Sequence, residues 1–181
     1  IEGKHITVRR AKKDEKIITL DNQERTLNEN MLVIADSKKP VAIAGVMGGQ
    51  NSEIENDTQT VVFESAVFYG GSVRKTAKAV GLRTEASSRY EKGLSPENAL
   101  RSVNRAVELV ELLGAGEAVD GKVDVYPTKQ KENKIPLQVD RINSLLGTNL
   151  SKQEMVDILE KLDMKVENDT VIPPYFRQDV E

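Results

Sequence analysis

Three short segments between residues 41 and 93 hold the residue types that could do chemistry. The first is AGVMGG at 44–49, with glycines at 45, 48 and 49. Glycines this dense suit a turn or bulge that needs positive φ, or a close approach of backbone to a ligand with free N–H groups as donors. Their spacing fits neither GxGxxG nor GxxxxGK[ST], and no Lys-Ser/Thr follows, so a phosphate loop is a poor reading. The second segment is VVFESAVF at 61–68, which sets Glu64 among apolar neighbours. A carboxylate in that setting is expected to be at least partly buried and to need partners. Either it accepts bonds from nearby backbone or from Arg83, or it faces a pocket and accepts a hydrogen bond from a ligand hydroxyl. The third segment is GLRTEASSRYEKG at 81–93, in which residues 83–93 show no clear period and read as an ordered loop. Each segment is a strand end or a loop, where sites are usually built on a rigid scaffold.

The elements that must position them follow from periodicity. Residues 6–44 read as a β meander, with short β-branched runs at 6–9 and 16–20, a turn at 20–24, an apolar run at 31–35 buried on both faces, and a strand at 41–44 after Lys39-Pro40. Residues 51–60 are polar and loop-like, and Val61, Val62 and Phe63 form a further buried strand candidate. Residues 71–80 suit a short helix with Val73, Ala77 and Val80 inward, stopped by Gly81. Ser95-Pro96-Glu97 is a helix start, with Ser95 as N-cap and Pro96 in the first helical position. Ala99, Val103, Ala106, Val107, Val110 and Leu113 then make an apolar stripe read as core, ended by Gly114.

Residues 122–126 read as another strand, and the polar run PTKQKENK at 127–134 as a linker or surface loop at a domain boundary. Beyond it, 135–139 is a strand and 140–146 a short helix stopped by Gly147. Ser151 and Glu154 form a capping box that opens a helix with Met155, Ile158, Leu159 and Leu162 inward. Residues 164–166 and 170–172 form a hairpin turning at Asn168-Asp169. The sequence thus reads as α+β, with a module at 1–128 and a second, smaller one at 134–181.

Composition narrows the classes. The chain has 181 residues, 38% hydrophobic and 30% charged, as a soluble globular protein would. No run of about 18 apolar residues exists, so a membrane span is not expected. The chain opens on IEGKH without Met or a signal peptide, which reads as a fragment. No cysteine is present, which excludes disulfides, zinc fingers and thiol catalysis. The single histidine, His5, reads as structural or exposed, and any metal would need carboxylates. With 26 basic and 29 acidic residues the net charge is −3, so nucleic-acid contact would be local or shared. The basic candidates are Arg9 to Lys13, the helix face Arg74, Lys75 and Lys78, and Lys129 to Lys134. Each reads first as a solvated face.

The ordered set AGVMGG, FESA and GLRTEASSRYEKG, followed by the Ser-Pro helix, resembles the β subunit of bacterial phenylalanyl-tRNA synthetase. The resemblance covers essentially the whole chain, and residues 135–181 resemble the start of that subunit's next small domain, with its Pro-x-x-Arg-x-Asp segment. It implies a mixed or antiparallel, β-rich editing module with packed helices, then a small helix-rich, winged, DNA-binding-like domain for which no DNA binding is expected. The implied activity is hydrolysis of tyrosine mischarged onto tRNA(Phe). In that family synthesis belongs to the separate α subunit, with ATP and magnesium, in an α2β2 assembly of the cytoplasm. No cofactor is implied for this stretch itself.

By the same resemblance Glu64 would read the tyrosine hydroxyl. Gly48 would hold a position where a bulkier side chain closes the pocket, and Thr84 and Ala86 would be small pocket walls. Asp179 matches one ligand of the family's magnesium cluster, whose companions would lie past Glu181. The family's His-x-Phe-Asp segment would lie upstream, and His5 is not its equivalent. No catalytic group is assignable, and isolated activity is expected to be weak. A different class of reading remains open: a non-catalytic module for tRNA docking or subunit architecture, with a degenerate pocket.

Overall fold

The computed structural model describes residues 1–3 and 5–180. They divide into two compact units, Ile1–Leu94 with Ala99–Ala118, and Ser95–Asn98 with Val119–Glu181. Among the described residues no helix is long and apolar enough to cross a membrane.

In the first unit four antiparallel strands lie in the order β1 (Thr7–Arg10), β4 (Leu32–Ala35), β5 (Pro40–Ile43), β6 (Met47–Gly48). The apolar run at β4 is buried, with Val33 fully so, because it lies between two neighbouring strands and under the rest of the unit. A separate hairpin joins β2 (Lys16–Ile18) to β3 (Glu24–Thr26). The second of these falls just past the expected turn and is polar, so apolar alternation did not announce it. Ile17 and Leu27 carry this hairpin into the core. Arg25 then ties it to the helical layer, donating to the Val80 carbonyl at 2.9 Å and pairing with Asp21 at 2.7 Å.

The helix expected at 71–80 forms as α1 (Gly70–Ala79), with Val73, Thr76 and Ala77 buried and Gly81 at φ +66° as its left-handed stop. Residues 83–93 are not a loop. They contain a six-residue helix, α2 (Glu85–Tyr90), whose first turn is closed by a capping box between Thr84 and Ser87. A helix this short has too few positions for a period to show, and its capping partner is Ser where the usual signature has Glu or Gln. α1 and α2 approach closely: a Cβ on Gly70 would meet the Tyr90 carbonyl oxygen at 2.7 Å.

Two expected strands are absent. Val61, Val62 and Phe63 are exposed and pair with no strand, and in the second unit Val123 and Val125 are 94% and 79% exposed. β-branched composition favours a pleated surface but supplies no partner for the backbone, and without a ladder neither run becomes a strand. The long helix α3 (Glu97–Leu112) also departs from expectation. It has no buried residue; Ala99, Val103, Ala106, Val107 and Val110 are half-buried and Leu113 is exposed. The Ser95 hydroxyl is turned to the Gln130 side-chain oxygen at 3.3 Å rather than capping that helix.

The second unit holds a three-stranded antiparallel sheet in the order β7 (Ile135–Pro136), β9 (Thr170–Ile172), β8 (Lys165–Glu167), with α4 (Val139–Leu146) and α5 (Lys152–Glu160). Gly147 ends α4 at φ +68°, and the Ser151–Glu154 capping box opens α5. Asn168 and Asp169 take φ +46° and +62°, the doubly positive pair that a two-residue hairpin turn requires. Met155, Met164 and Val171 are its buried apolar residues, whereas Ile158 and Leu162, expected inward, are about half exposed. This core is too small to cover a full stripe on a nine-residue helix.

Gly45 is the glycine on which the first unit most depends. Its φ is +70°, and a Cβ there would meet Val73 Cγ2 at 2.9 Å and Phe68 Cδ2 at 3.0 Å. Gly45→Ala should therefore lower stability by about 1–3 kcal/mol, combining left-handed strain with an apolar clash. Urea unfolding checks this, and a change within about 0.5 kcal/mol would show that the turn relaxes freely.

Candidate functional site

The AGVMGG segment folds as the turn joining β5 to β6. The Val46 N–H donates to the Ile43 carbonyl at 3.0 Å, and the Gly49 N–H donates to the Val41 carbonyl at 2.7 Å. These amides are used inside the turn, so it is not an open nest of donors. Gly48 is half-buried, and a Cβ on it would meet Leu20 Cδ1 at 3.2 Å, which leaves that position tight against a side-chain tip.

Thr84 joins the turn to α2. Its hydroxyl donates to the Val46 carbonyl at 2.7 Å and accepts from the Ser87 N–H at 3.0 Å. Ser87 returns the favour: its Oγ accepts from the Thr84 N–H at 2.9 Å and donates to the Thr84 carbonyl at 3.0 Å. Thr84 is half-buried, Ser87 is buried, and Ala86, between them, is exposed on the open side of α2. Thr84 is thus more than a small wall; it holds two segments in register.

The FESA segment is held from the other end of α2. The Tyr90 hydroxyl donates to the Ala66 carbonyl at 3.1 Å, and its ring packs against Phe68 with centroids 5.2 Å apart at 54°. The same ring lies beside Gly45, where a Cβ would meet Tyr90 Cδ2 at 3.5 Å. Ser65 donates to the Ala99 carbonyl at 2.7 Å. The three segments therefore converge on α2: the turn through Thr84, the FESA segment through Tyr90. Ser65, Ser87 and Tyr90 do this work and were not singled out by the sequence; a Thr-x-x-Ser cap was the one local signal for Ser87.

Glu64, the second residue of the FESA segment, reaches solvent but is partly covered by neighbouring atoms, as expected. Among the described residues no hydrogen bond or ion pair engages it. Arg83, the expected cation, is committed elsewhere, 3.2 Å from Glu91 and 3.3 Å from the Ser88 hydroxyl. Although Glu64 reaches solvent, the atoms crowding it push its carboxyl above the ordinary glutamate range, and no donor offsets this. Its charge, second to burial, also raises the Tyr90 phenol, so the two groups lie within electrostatic reach. A carboxylate with no partner inside the protein keeps its acceptor oxygens uncommitted.

No hydrogen bond links Glu64, Gly48, Thr84 and Ala86 to one another among the described residues; they share a framework of neighbours. A cleft of about 100 Å³ in the unit is lined by other residues, Arg10, Tyr69, Ser72 and Thr76 among them, and is below the size of ordinary ligand pockets. His5 is exposed.

Asp179 does not offer a magnesium site as it stands. Arg177 grips its carboxylate with Nε at 2.8 Å and Nη2 at 2.9 Å and holds its pKa down. Among the described residues no group of three His, Asp or Glu could hold a metal ion. A single carboxylate already neutralised by a guanidinium lacks both the charge and the ligand count that magnesium needs.

Glu64 gives a direct test of a site against a structural role. Its folded pKa lies above the ordinary 4.5. Above pH 4.5 the ionised form is disfavoured in the folded state relative to the unfolded one; well below it both states are protonated and the penalty vanishes. Glu64→Gln should accordingly be no less stable than the wild type at pH 7, with any gain disappearing as pH falls below about 4. Thermal unfolding across that range checks this. A clear loss of stability at pH 7 would assign Glu64 to the scaffold.

Comparison with known proteins adds two family matches and a set of relatives. The B3/4 domain matches residues 1–115, and the tRNA synthetase B5 domain matches residues 135–181. The phenylalanine–tRNA ligase beta subunit of Syntrophus aciditrophicus is 44% identical over 99% of this chain, and that of Clostridium acetobutylicum 43% over 99%. The subunit of the same name from Bacillus subtilis is 41% identical over 91% of the chain. The chain spans 23%, 23% and 20% of the lengths of these relatives, respectively.

Proposed function

This chain belongs to the B3/4 domain family and carries a tRNA synthetase B5 domain behind it, and from that membership we propose that it serves a phenylalanine–tRNA ligase β subunit as its editing module. In this reading residues 1–128 hydrolyse tyrosine from mischarged tRNA(Phe), and residues 134–181 begin the small domain that follows. The parent enzyme joins phenylalanine to tRNA(Phe) with ATP and magnesium, as an α2β2 assembly in the cytoplasm.

The observation that carries this reading is the unpartnered Glu64 carboxylate in the FESA segment. A synthetic pocket shaped for an apolar ring rejects an added hydroxyl only about a hundredfold. A second pocket that hydrogen-bonds the hydroxyl discriminates in the opposite sense. Tyrosine would donate its phenol proton to Glu64, while phenylalanine would leave the carboxylate desolvated and unpaired, at about 1–3 kcal/mol. Gly48 and Ala86 leave room for the ring, and Thr84 fixes the wall that faces it.

The hydroxyls of Ser65, Thr84 and Tyr90 all donate to backbone carbonyls. None is a free nucleophile. That favours a mechanism in which the site orients the ester and a water, with a tRNA terminal hydroxyl assisting. Water adds to the ester carbonyl, the ribose oxygen leaves with a proton, and free tyrosine departs. The same commitment of hydroxyls also favours, as a second reading, a non-catalytic module for tRNA docking or subunit architecture. Asp179, held by Arg177, would join a magnesium cluster only if further carboxylates displaced that guanidinium.

Glu64→Ala in the complete synthetase separates the two. Survival of Tyr-tRNA(Phe) in a deacylation assay should rise by at least tenfold, with phenylalanylation unchanged. Unchanged hydrolysis would remove Glu64 from the site, and a wild type that never hydrolyses Tyr-tRNA(Phe) would leave the docking reading.

A further inference from the structure

We propose that the solvent face of α1, together with Tyr69 at its start, is a docking surface for single-stranded RNA at the acceptor end of the tRNA. The choice of the acceptor end rests on the editing reading above; the docking surface itself rests on charge and exposure.

α1 has two unlike faces. Val73, Thr76 and Ala77 are buried, and Arg74, Lys75 and Lys78 are exposed on the opposite side, within about 100° of one another at 3.6 residues per turn. Residues 65–84 hold four basic side chains and no acidic one, in a chain whose net charge is −3. Apart from Arg83, which pairs with Glu91, this run differs from several other cations of the unit. Arg9, Lys16, Arg25 and Arg89 each sit 2.7 Å from a carboxylate. Arg74, Lys75 and Lys78 form no ion pair among the described residues. The acids of the neighbouring α2 do not neutralise them either, because Glu85 pairs with Arg89 and Glu91 with Arg83. A local positive field is left open to solvent in a protein that is otherwise slightly acidic.

What the surface fits follows from its other members. No large apolar side chain of α1 is exposed, so the helix has nothing to insert into a lipid surface. Instead Tyr69, the residue that precedes α1, is 82% exposed. An open aromatic ring beside unpaired cations matches unstacked bases and phosphates, since every base offers a π face and every nucleotide a charge. The surface and the candidate site share one framework. Tyr69 follows Phe68, two residues past the FESA segment, and α1 packs on α2 with Gly70 against the Tyr90 carbonyl. A strand held along α1 would bring its end towards the segment that holds Glu64.

The test is binding of the 181-residue chain to a fluorescein-labelled hairpin with the acceptor-stem sequence of tRNA(Phe) and a single-stranded 3′ end, read by anisotropy at 50–200 mM salt. The triple substitution Arg74→Gln, Lys75→Gln, Lys78→Gln should weaken binding about tenfold at low salt. It should also flatten the slope of log K against log salt by about 2, at about 0.7 per phosphate for single strands. Tyr69→Ala should weaken binding by about tenfold and leave the slope unchanged. Substituting Lys129, Lys131 and Lys134 by Gln should have little effect. Wild-type binding by the α1 triple variant, equal loss in the control, or equal affinity for a DNA duplex of the same length would overturn the assignment. No step in this assay is hydrolytic, so failure of the editing reading and failure of the docking surface give different results.

Discussion

The hydrogen bond from the Thr84 hydroxyl to the Val46 carbonyl, 2.7 Å long, is the contact on which the arrangement of the first unit's candidate site depends. It joins a turn that is rigid because Gly45 is left-handed to a helix that is rigid because its first turn is capped. The same hydroxyl caps α2 by accepting from Ser87, so one oxygen closes the helix and attaches it to the sheet. At the far end of α2, Tyr90 holds the FESA segment through the Ala66 carbonyl. Six residues of helix therefore set the spacing between a glycine turn and a carboxylate that are distant in sequence.

Against that framework Glu64 is the exception. The hydroxyls of Ser65, Thr84, Ser87 and Tyr90 are satisfied within the protein, and Glu64 is bonded to none of them. Its crowded, unpaired carboxylate is a small standing cost to stability above the carboxylate range. The neighbouring cations tell a related story. Arg83 and Arg89 are absorbed by α2's own acids, which leaves the field of α1 undiminished and Glu64 without a counter-ion.

Much of this was legible in the sequence where local pattern and local partner coincide. β4 and β5, α1 with its Gly81 stop, the capping box of α5 and the Asn168-Asp169 hairpin all carry their signals within a few residues. What escaped was decided by partners elsewhere in the chain. Residues 61–63 have strand composition and no strand beside them, and the stripe of α3 has helical spacing and no cover that buries it fully. α2 was missed because six mostly polar residues cannot display a period and its cap is Thr-x-x-Ser. Of the candidate site residues, Glu64 stood out for a physical reason and Gly48 only as one of three clustered glycines, whereas Thr84 and Ala86 came from the resemblance alone. Which hydroxyls were already committed, and which carboxylate was not, required the tertiary structure.

The proposed editing role requires that the turn, the FESA segment and α2 together recognise a phenolic hydroxyl. Titration of the chain with free tyrosine and, separately, with phenylalanine, followed by backbone amide chemical shifts, tests this most directly. Tyrosine should move the amides of Gly48, Glu64, Thr84 and Ala86 together with a single saturation curve, and phenylalanine at the same concentration should leave them in place. Equal shifts with both amino acids, or shifts confined to residues outside these three segments, would contradict it.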